Sequence, residues 1–422
     1  MAIAPLVEQI SYTDLYTRWE RGNWRATELD FSRDRVDWTE RMSDTQRRAA
    51  LWNYSLFLHG EDSVADNLSP YIDAAPLEEQ KYFLTTQQVD EARHAVFFER
   101  FMREVLEYDS ASVHDSLERT RPELTWGFRN LFGLLDRTAD ELRADRSKPK
   151  LAAAVTLYHL VVEATVAQTG QHFIDDYLER DNLMPGFHEG MANVAADEQR
   201  HIAFGVKLLS DLVAADPECK DAVAEILREA LRYSVALFIP PNWDLSYVEC
   251  FGSTLEDLFE QGLVSLQSKL RAAGLHLEEM PGVLPLPSEL SPREQAERSI
   301  RLVRAGILGE KTGPPARDRE TMALVFDAVS RSIDHRRTPE RPVTIQWDFT
   351  DAQPWQLRIN NGDTRALPER APHADLTFHC RWEDWVDVAM GRLDPRVALL
   401  KQRIRPRGSM RLLLRLPSMF AL

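Results

Sequence analysis

The sequence predicts a mainly α protein: a bundle of long helices over residues 1–274, a linker and connecting helix over 275–317, and a smaller α+β domain over 318–422. Three observations carry that prediction. Apolar residues recur at helical spacing through most of the first 270 residues. One short phrase occurs twice there, as Asp90-Glu91-Ala92-Arg93-His94 and as Asp197-Glu198-Gln199-Arg200-His201. After Pro342 the period changes to strict alternation, in Val343-Thr344-Ile345-Gln346-Trp347-Asp348-Phe349.

The elements follow in order. Tyr12, Tyr16, Trp19, Trp24, Phe31 and Trp38 predict an arm that crosses the bundle, its rings packed and its acids and arginines in water. Ser43 or Asp44 caps a helix that continues through Leu51, Tyr54, Leu58, Ala65 and Leu68. Gly60 beside Glu61 marks a close approach or a local bulge in it. Pro76 opens the next helix, with Glu78 and Glu79 in its first turn, and it runs to about 107. Further helices are expected over about 123–143 and from Ser147-Lys148-Pro149 to about 180. After a break at 182–186, one helix continues to about 214, a second spans 217–240 and a third 247–273. Gly274, Pro281, Gly282, Pro285, Pro287 and Pro292 mark the linker. Beyond it, helices over about 293–308 and 318–335 precede two strands, the second at Trp355-Gln356-Leu357-Arg358-Ile359, with a hairpin turn at Asn361-Gly362-Asp363. A strand over 375–380, a helix over 382–390, a short helix after Pro395 and one near Ser409 complete the chain.

The repeated phrase carries the chemistry. Glu and His three residues apart share one helix face, so a carboxylate oxygen and an imidazole nitrogen can converge on one ion. Before each phrase lies a helical segment with one more Glu among apolar residues, Glu61 in the first and Glu163 in the second. Four carboxylates on apolar faces would cost too much to keep ionised without compensation. One Glu from each of two helices and Glu-x-x-His from each of two others match the known ligand pattern of dimetal-carboxylate bundles. Glu61, Glu91 and His94 are therefore expected around one metal, and Glu163, Glu198 and His201 around the other. Glu91 and Glu198 are expected to bridge. Oxygen donors with one imidazole per ion suit Fe or Mn better than a structural Zn.

His159, four residues before Glu163, is a candidate seventh ligand or else a core histidine hydrogen-bonded to a carboxylate. Asp90 and Asp197 are expected to reach the far nitrogen of the histidine on the opposite helix and fix its tautomer. Arg93 and Arg200 either hold these carboxylates or face solvent. Tyr54 and Tyr158 lie on site-facing stripes and read as core packing.

Composition narrows the class. With 67 acidic and 51 basic residues the net charge is -16, which argues against nucleic acid as a partner. Cys219, Cys250 and Cys380 are far apart and odd in number, which suits a reducing cytoplasm and offers no disulfide framework. Met1-Ala2-Ile3-Ala4-Pro5 lacks the pattern of a signal peptide. The most apolar helix, near 151–167, is interrupted by His159 and Glu163 and reads as too short for a bilayer, so no stable membrane insertion is expected.

With its ligand set in place, the segment over about 12–270 resembles the ferritin-like dimetal oxidases and oxygenases, most of all the ribonucleotide reductase small subunit and its ligand-binding oxidase relatives. Trp19-Glu20-x-Gly22-Asn23-Trp24 and Asp30-Phe31-Ser32-Arg33-Asp34 resemble their N-terminal segment. Where the reductase subunit keeps a radical tyrosine, this chain has Phe98, a departure that argues against ribonucleotide reduction. The resemblance implies a non-haem dimetal oxygenase with two Fe ions, or Fe with Mn, dioxygen as co-substrate and an external electron donor. It implies a small organic substrate oxidised by N-oxygenation or C–H hydroxylation, a redox partner or chemical reductant, and a homodimer. An acyl or lipid desaturase or hydroxylase is the first alternative, a non-catalytic iron-binding protein the second.

The C-terminal segment resembles the sterol-carrier-protein type 2 fold, through the strands from Val343, Ala374-Asp375-Leu376-Thr377-Phe378, the stretch 385–396, and Arg405-Pro406-Arg407-Gly408 before a terminal helix. That fold implies an apolar ligand between sheet and helices, or a module for dimerisation and stability. Eight basic residues between Arg392 and Arg415 against the single acid Asp394 attract an anionic ligand or surface, or form a solvated face.

Overall fold

The computed structural model describes residues 10–106, 112–280, 282–283, 286–287, 289–311, 313–360 and 362–420. The first nine residues, on which the signal-peptide reading rests, lie outside these, as do Pro281, Pro285 and Asn361. The chain forms two compact units, Met1–Glu279 and Met280–Leu422.

In the first unit the long helices are α1 (Tyr12–Arg21), α2 (Asp44–Asn67), α3 (Glu78–Glu104), α4 (Trp126–Ala144), α5 (residues 148–181), α6 (Pro185–Ala215), α7 (Glu218–Leu237) and α8 (Leu255–Ala272). Shorter helices join them. Helix α2 begins with a reciprocal cap: Ser43 Oγ accepts from Gln46 N at 3.3 Å, and the Gln46 carbonyl accepts from Ser43 N at 2.9 Å. It runs unbroken past Gly60, so the expected bulge is absent. The predicted helix over 247–273 is two, Ser246–Glu249 and α8, parted at Gly252 with φ 80°.

Helix α6 explains the arm. Met184 precedes it in the left-handed region, φ 45°, and offers no side-chain cap to the orphan N–H groups of the first turn. Asp34 supplies one from the arm, accepting from Gly186 N at 2.9 Å and Phe187 N at 2.6 Å, while Asp37 accepts from Met184 N at 2.8 Å. These two acids are buried rather than in water as expected. A Cβ on Gly186 would fall 2.2 Å from the Asp30 carbonyl oxygen, so the arm approaches only because that residue is glycine.

Helix α5 is the core of the bundle. Its middle, Thr156–Ala167, is wound as a π-helix, and every residue from 156 to 166 is buried. By length and composition this 34-residue helix is long and apolar enough to cross a membrane, contrary to the sequence reading. Its most apolar window is 89% buried within the protein, which marks it as a core helix. Helices α2 and α3 pack together on one side, and α6 and α8 flank the π segment.

The second unit holds α9 (Pro292–Arg304), α10 (Arg319–Arg331), β1 (Val343–Phe349), β2 (Trp355–Asn360), β3 (Asp363–Leu367), β4 (Leu376–Cys380), α11 (Trp382–Ala389), α12 (Pro395–Leu400), β5 (Ile404–Gly408) and α13 (Met410–Met419). Its sheet has the order β3-β2-β1-β4-β5, antiparallel except for the β1–β4 pair. The alternating apolar residues of β1 and β2 face a core of aromatic rings. Phe326 stacks on Trp355 at 4.7 Å and on Trp385 at 5.2 Å. Strand β3 pairs antiparallel with β2 directly after the expected hairpin turn, whereas strand β5 was not expected from the sequence.

Candidate metal centre

Six side chains from four helices meet at the centre of the first unit. Glu61 comes from α2, Glu91 and His94 from α3, Glu163 from the π segment of α5, and Glu198 and His201 from α6. All six are buried. They form two groups, Glu61 with Glu91, His94 and Glu198, and Glu163 with Glu91, Glu198 and His201. Within each group one donor atom per residue lies within 4.8 Å of all the others. Glu91 and Glu198 belong to both groups, the arrangement two bridging carboxylates require.

Each histidine turns Nδ1 inward and Nε2 outward. His94 Nδ1 lies 3.2 Å from Glu61 Oε2, and His201 Nδ1 lies 3.2 Å from Glu91 Oε1. On the outer side, His94 Nε2 meets Asp197 Oδ2 at 3.1 Å and His201 Nε2 meets Asp90 Oδ2 at 3.1 Å. Each aspartate thus reaches across to the other Glu-x-x-His helix. A carboxylate there keeps the proton on Nε2 and leaves Nδ1 free to bind metal.

Around these aspartates the two helix phrases interlock. Arg93 spans Asp90 and Asp197, lying 2.8 Å from the latter, and Arg200 spans the same pair, 3.3 Å from Asp90. Both arginine side chains are only 11% exposed, so the solvent-facing alternative fails. The arm completes the network: Trp19 Nε1 donates to Asp90 and Trp24 Nε1 to Asp197, each at 2.8 Å. Sequence reasoning put these tryptophans in the packing and gave them no role at the site.

It also missed Gln87, one turn before Glu91 on α3. The Gln87 amide donates to Glu163 Oε1 at 2.8 Å and to the Tyr158 hydroxyl at 2.9 Å, and its carbonyl stands 3.2 Å from His159 Nε2. His159 therefore lies outside both ligand groups, because Gln87 occupies the gap between it and Glu163. Burial first, then the charge of His201, hold its imidazole down at about 3, so it is neutral and Nε2–H donates to Gln87. Tyr158 in turn donates to Glu91 at 2.5 Å, which gives it a polar task beyond core packing. Tyr54 lies away from the carboxylates, hydrogen-bonded to Tyr177 among phenylalanines.

The site's electrostatics fit a pair of cations. Burial raises Glu61 and Glu163 to about 7, and burial with the charges of Glu163 and Glu91 pushes Glu198 well above the carboxylate range. Burial works against ionised Glu91 too, but His201 and His94 outweigh it and hold this carboxyl well below its ordinary value. Without metal the cluster must keep protons to survive its own charge. Glu163 Oε2, Glu198 Oε2 and His201 Nδ1 are buried with no hydrogen-bond partner. Unpartnered polar atoms turned into one small space are what ions would satisfy.

A mostly apolar cavity adjoins this cluster. Glu61, Glu91, Glu163, Glu198 and Tyr158 line one part, and aliphatic and aromatic side chains such as Leu56, Phe57, Phe132, Val162 and Leu258 line most of the rest. Gly60 opens it: one turn of α2 presents no side chain where a Cβ would come within 3.5 Å of the Phe132 ring.

Residues 7–237 match the ribonucleotide reductase, small chain family, and residues 340–421 match the SCP-2 sterol transfer family. Among solved structures, the chain is similar to an R2-like ligand-binding oxidase from Sulfolobus acidocaldarius, with 28% identity over 64% of this chain and 93% of that one, at a TM-score of 0.51. A variant R2-like ligand-binding oxidase with an anaerobically reconstituted Mn/Fe cofactor shares the fold at 21% identity, covering 63% of this chain and 94% of that one, with a TM-score of 0.53. The expected ferritin-like bundle and sterol-carrier-like domain are both present. On the match over more than half its length, this chain belongs to the ribonucleotide reductase small chain family.

Proposed function

We propose that the protein is a non-haem dimetal oxygenase that oxidises a C–H bond of an apolar organic substrate. The observation that carries this reading is the apolar cavity running onto the carboxylate cluster. In this reading Glu61, Glu91, His94 and Glu198 hold one ion, and Glu163, Glu91, Glu198 and His201 the other. The bound pair, two Fe or Fe with Mn, supplies dioxygen activation. Inserting one oxygen atom into R–H consumes dioxygen, two electrons and two protons and yields R–OH and water, so an external electron donor is needed.

The chain's own residues do the rest. Apolar walls hold an alkyl group near the ions and exclude water. Tyr158 holds a proton on the Glu91 side of the cluster, burial and the surrounding carboxylates keeping its phenol well above its ordinary value. Asp90, Asp197 and Gln87 fix the directions of His201, His94 and Glu163. C–H oxidation is favoured over N-oxygenation because an amine would find few polar partners in the cavity besides the ligands themselves. An acyl-chain desaturase or hydroxylase is the nearest second reading, supported by the same walls and by the SCP-2 match.

The test is dioxygen consumption by the reduced, metal-loaded protein offered fatty acids, alkanes and amines, with products identified by mass spectrometry. An apolar substrate is expected to speed consumption and gain one oxygen, and Glu163→Ala or His201→Ala to abolish both. Oxidation of amines alone would overturn the C–H reading, and a loaded protein inert to dioxygen would overturn the enzyme.

A further inference from the structure

The second unit carries a surface unlike the rest of the chain. No Asp or Glu occurs from residue 395 to 422, although the chain holds 67 of them in 422 residues. Arg396, Lys401, Arg405, Arg407 and Arg411 are exposed, and among the described residues none pairs with a carboxylate. Their neighbours behave differently: Arg392 pairs with Asp387, Arg403 with Asp384, and Arg415 donates to the carbonyls of Arg337 and Thr338.

Bare aliphatic side chains occupy the same stretch. Leu400 is 84% exposed, Leu414 77% and Met410 63%, with Val397 and Leu399 also exposed. Among the described residues these are all the large hydrophobics the second unit exposes. Strand β5 is an edge of the sheet, and Arg405 and Arg407, two apart, share its face opposite the buried Ile404. On α13, Met410, Leu414 and Pro417 stand at helical spacing on the exposed side, while Leu412 and Met419 are buried. The helix thus has a second apolar stripe beyond the one it spends on its own core.

We propose that α12, β5 and α13 form a docking surface for an anionic phospholipid bilayer. Leu400, Met410 and Leu414 enter the boundary between headgroups and acyl chains, and the five free cations meet the negative surface. Charge complementarity selects this partner, because aliphatic tips interleaved with unpaired cations suit a surface that is apolar beneath and anionic above. Nucleic acid would use the cations and leave the aliphatic tips unburied. The inference rests on this surface alone and is independent of the metal centre.

The full-length, metal-loaded protein is sedimented with vesicles of phosphatidylcholine alone and of phosphatidylcholine with phosphatidylglycerol at about 3:1. Binding to the anionic vesicles only is expected, weakening as salt shortens the screening length. Arg405→Gln is expected to weaken it about fivefold, and Arg405→Gln with Arg407→Gln roughly 25-fold, from the usual worth of one cation near such a surface. Leu414→Asp, at an exposed position, is expected to abolish it while metal content and melting temperature stay unchanged. Absent binding, equal binding to both vesicles, or variants that bind like the parent would overturn the proposal. Variants that alter oligomeric mass and leave vesicle binding intact would overturn it too, and would assign the surface to a second copy.

Discussion

Gln87 joins three polar side chains that otherwise have little to hold them. Replacing it with leucine roughly keeps its bulk but leaves His159 Nε2–H without an acceptor and Glu163 Oε1 without its donor. Each buried group so stranded costs about 1–3 kcal/mol. Gln87→Leu is therefore expected to lower the melting temperature and to weaken metal binding about 10–100-fold, the usual effect of losing a partner that orients a ligand. Chelator competition measures this, and unchanged affinity would show that the ions alone orient Glu163. Protons give a second prediction at this scale. Glu61 and Glu163 titrate near 7 in the metal-free protein, above their ordinary 4.5, and His94 and His201 are held well above theirs by the carboxylates despite burial. The metal-free native state then binds more protons than the unfolded chain from about 4.5 upward through 7, so its stability falls as pH rises across that window. Bound ions expel the same protons, so metal affinity moves the other way and weakens as pH falls. Melting curves of chelated protein are expected to shift down between about pH 5 and 8, with loaded protein nearly flat. Parallel curves would mean that the cluster does not hold those protons.

At the scale of elements, two glycines make opposite predictions. A Cβ on Gly205 of α6 would fall 2.2 Å from the Cβ of His159, a short stem fixed in the core helix. Alanine is the better helix former by about 1 kcal/mol, but overlap in a packed core costs about 1–3 kcal/mol, so Gly205→Ala should lower the urea midpoint. Gly133 on α4 is exposed with nothing within 4 Å of its Cβ position, and there the same change should raise it. Equal shifts would leave helix propensity as the sole cause. These contacts also show what a sequence can and cannot reveal. Two helix starts are legible because their signals are local: Ser43 with Gln46, and Pro149, announce themselves within a turn, whereas α6 takes its cap from Asp34, about 150 residues away. The Glu-x-x-His phrases are legible for the same reason, since three-residue spacing puts both donors on one face. Gln87, Trp19 and Trp24 are not, because their partners lie 71 to 173 residues away and nothing local marks them. Strand β3 is announced only by the turn before it, since it buries no residue, and β5 escapes because it is a five-residue edge whose pattern Pro406 interrupts. The π winding of α5 leaves no trace because all of 156–166 is buried, so no exposed face reports a period.

For the whole molecule, the two units differ in what stabilises them. The first buries four carboxylates whose charge ions would neutralise and two imidazoles that would ligate them, while the second rests on an apolar core around Phe326 and four tryptophans. A ligand that binds only the folded state stabilises by about 2.7 kcal/mol at 100 times its dissociation constant. For a unit of this size that corresponds to roughly 5–10 °C. Chelation is therefore expected to lower one thermal transition by at least that much and to leave a second in place. Fluorescence alone would mix the two, since Trp347, Trp355, Trp382 and Trp385 belong to the second unit and the other six tryptophans to the first. Far-ultraviolet dichroism follows the helical unit preferentially, because the long helices lie there. Calorimetry should then show the metal-sensitive peak coinciding with the large loss of helical signal and the insensitive peak with a small one. A single peak that moves as a whole on chelation would mean that the units unfold together, and the metal centre would then stabilise the entire chain.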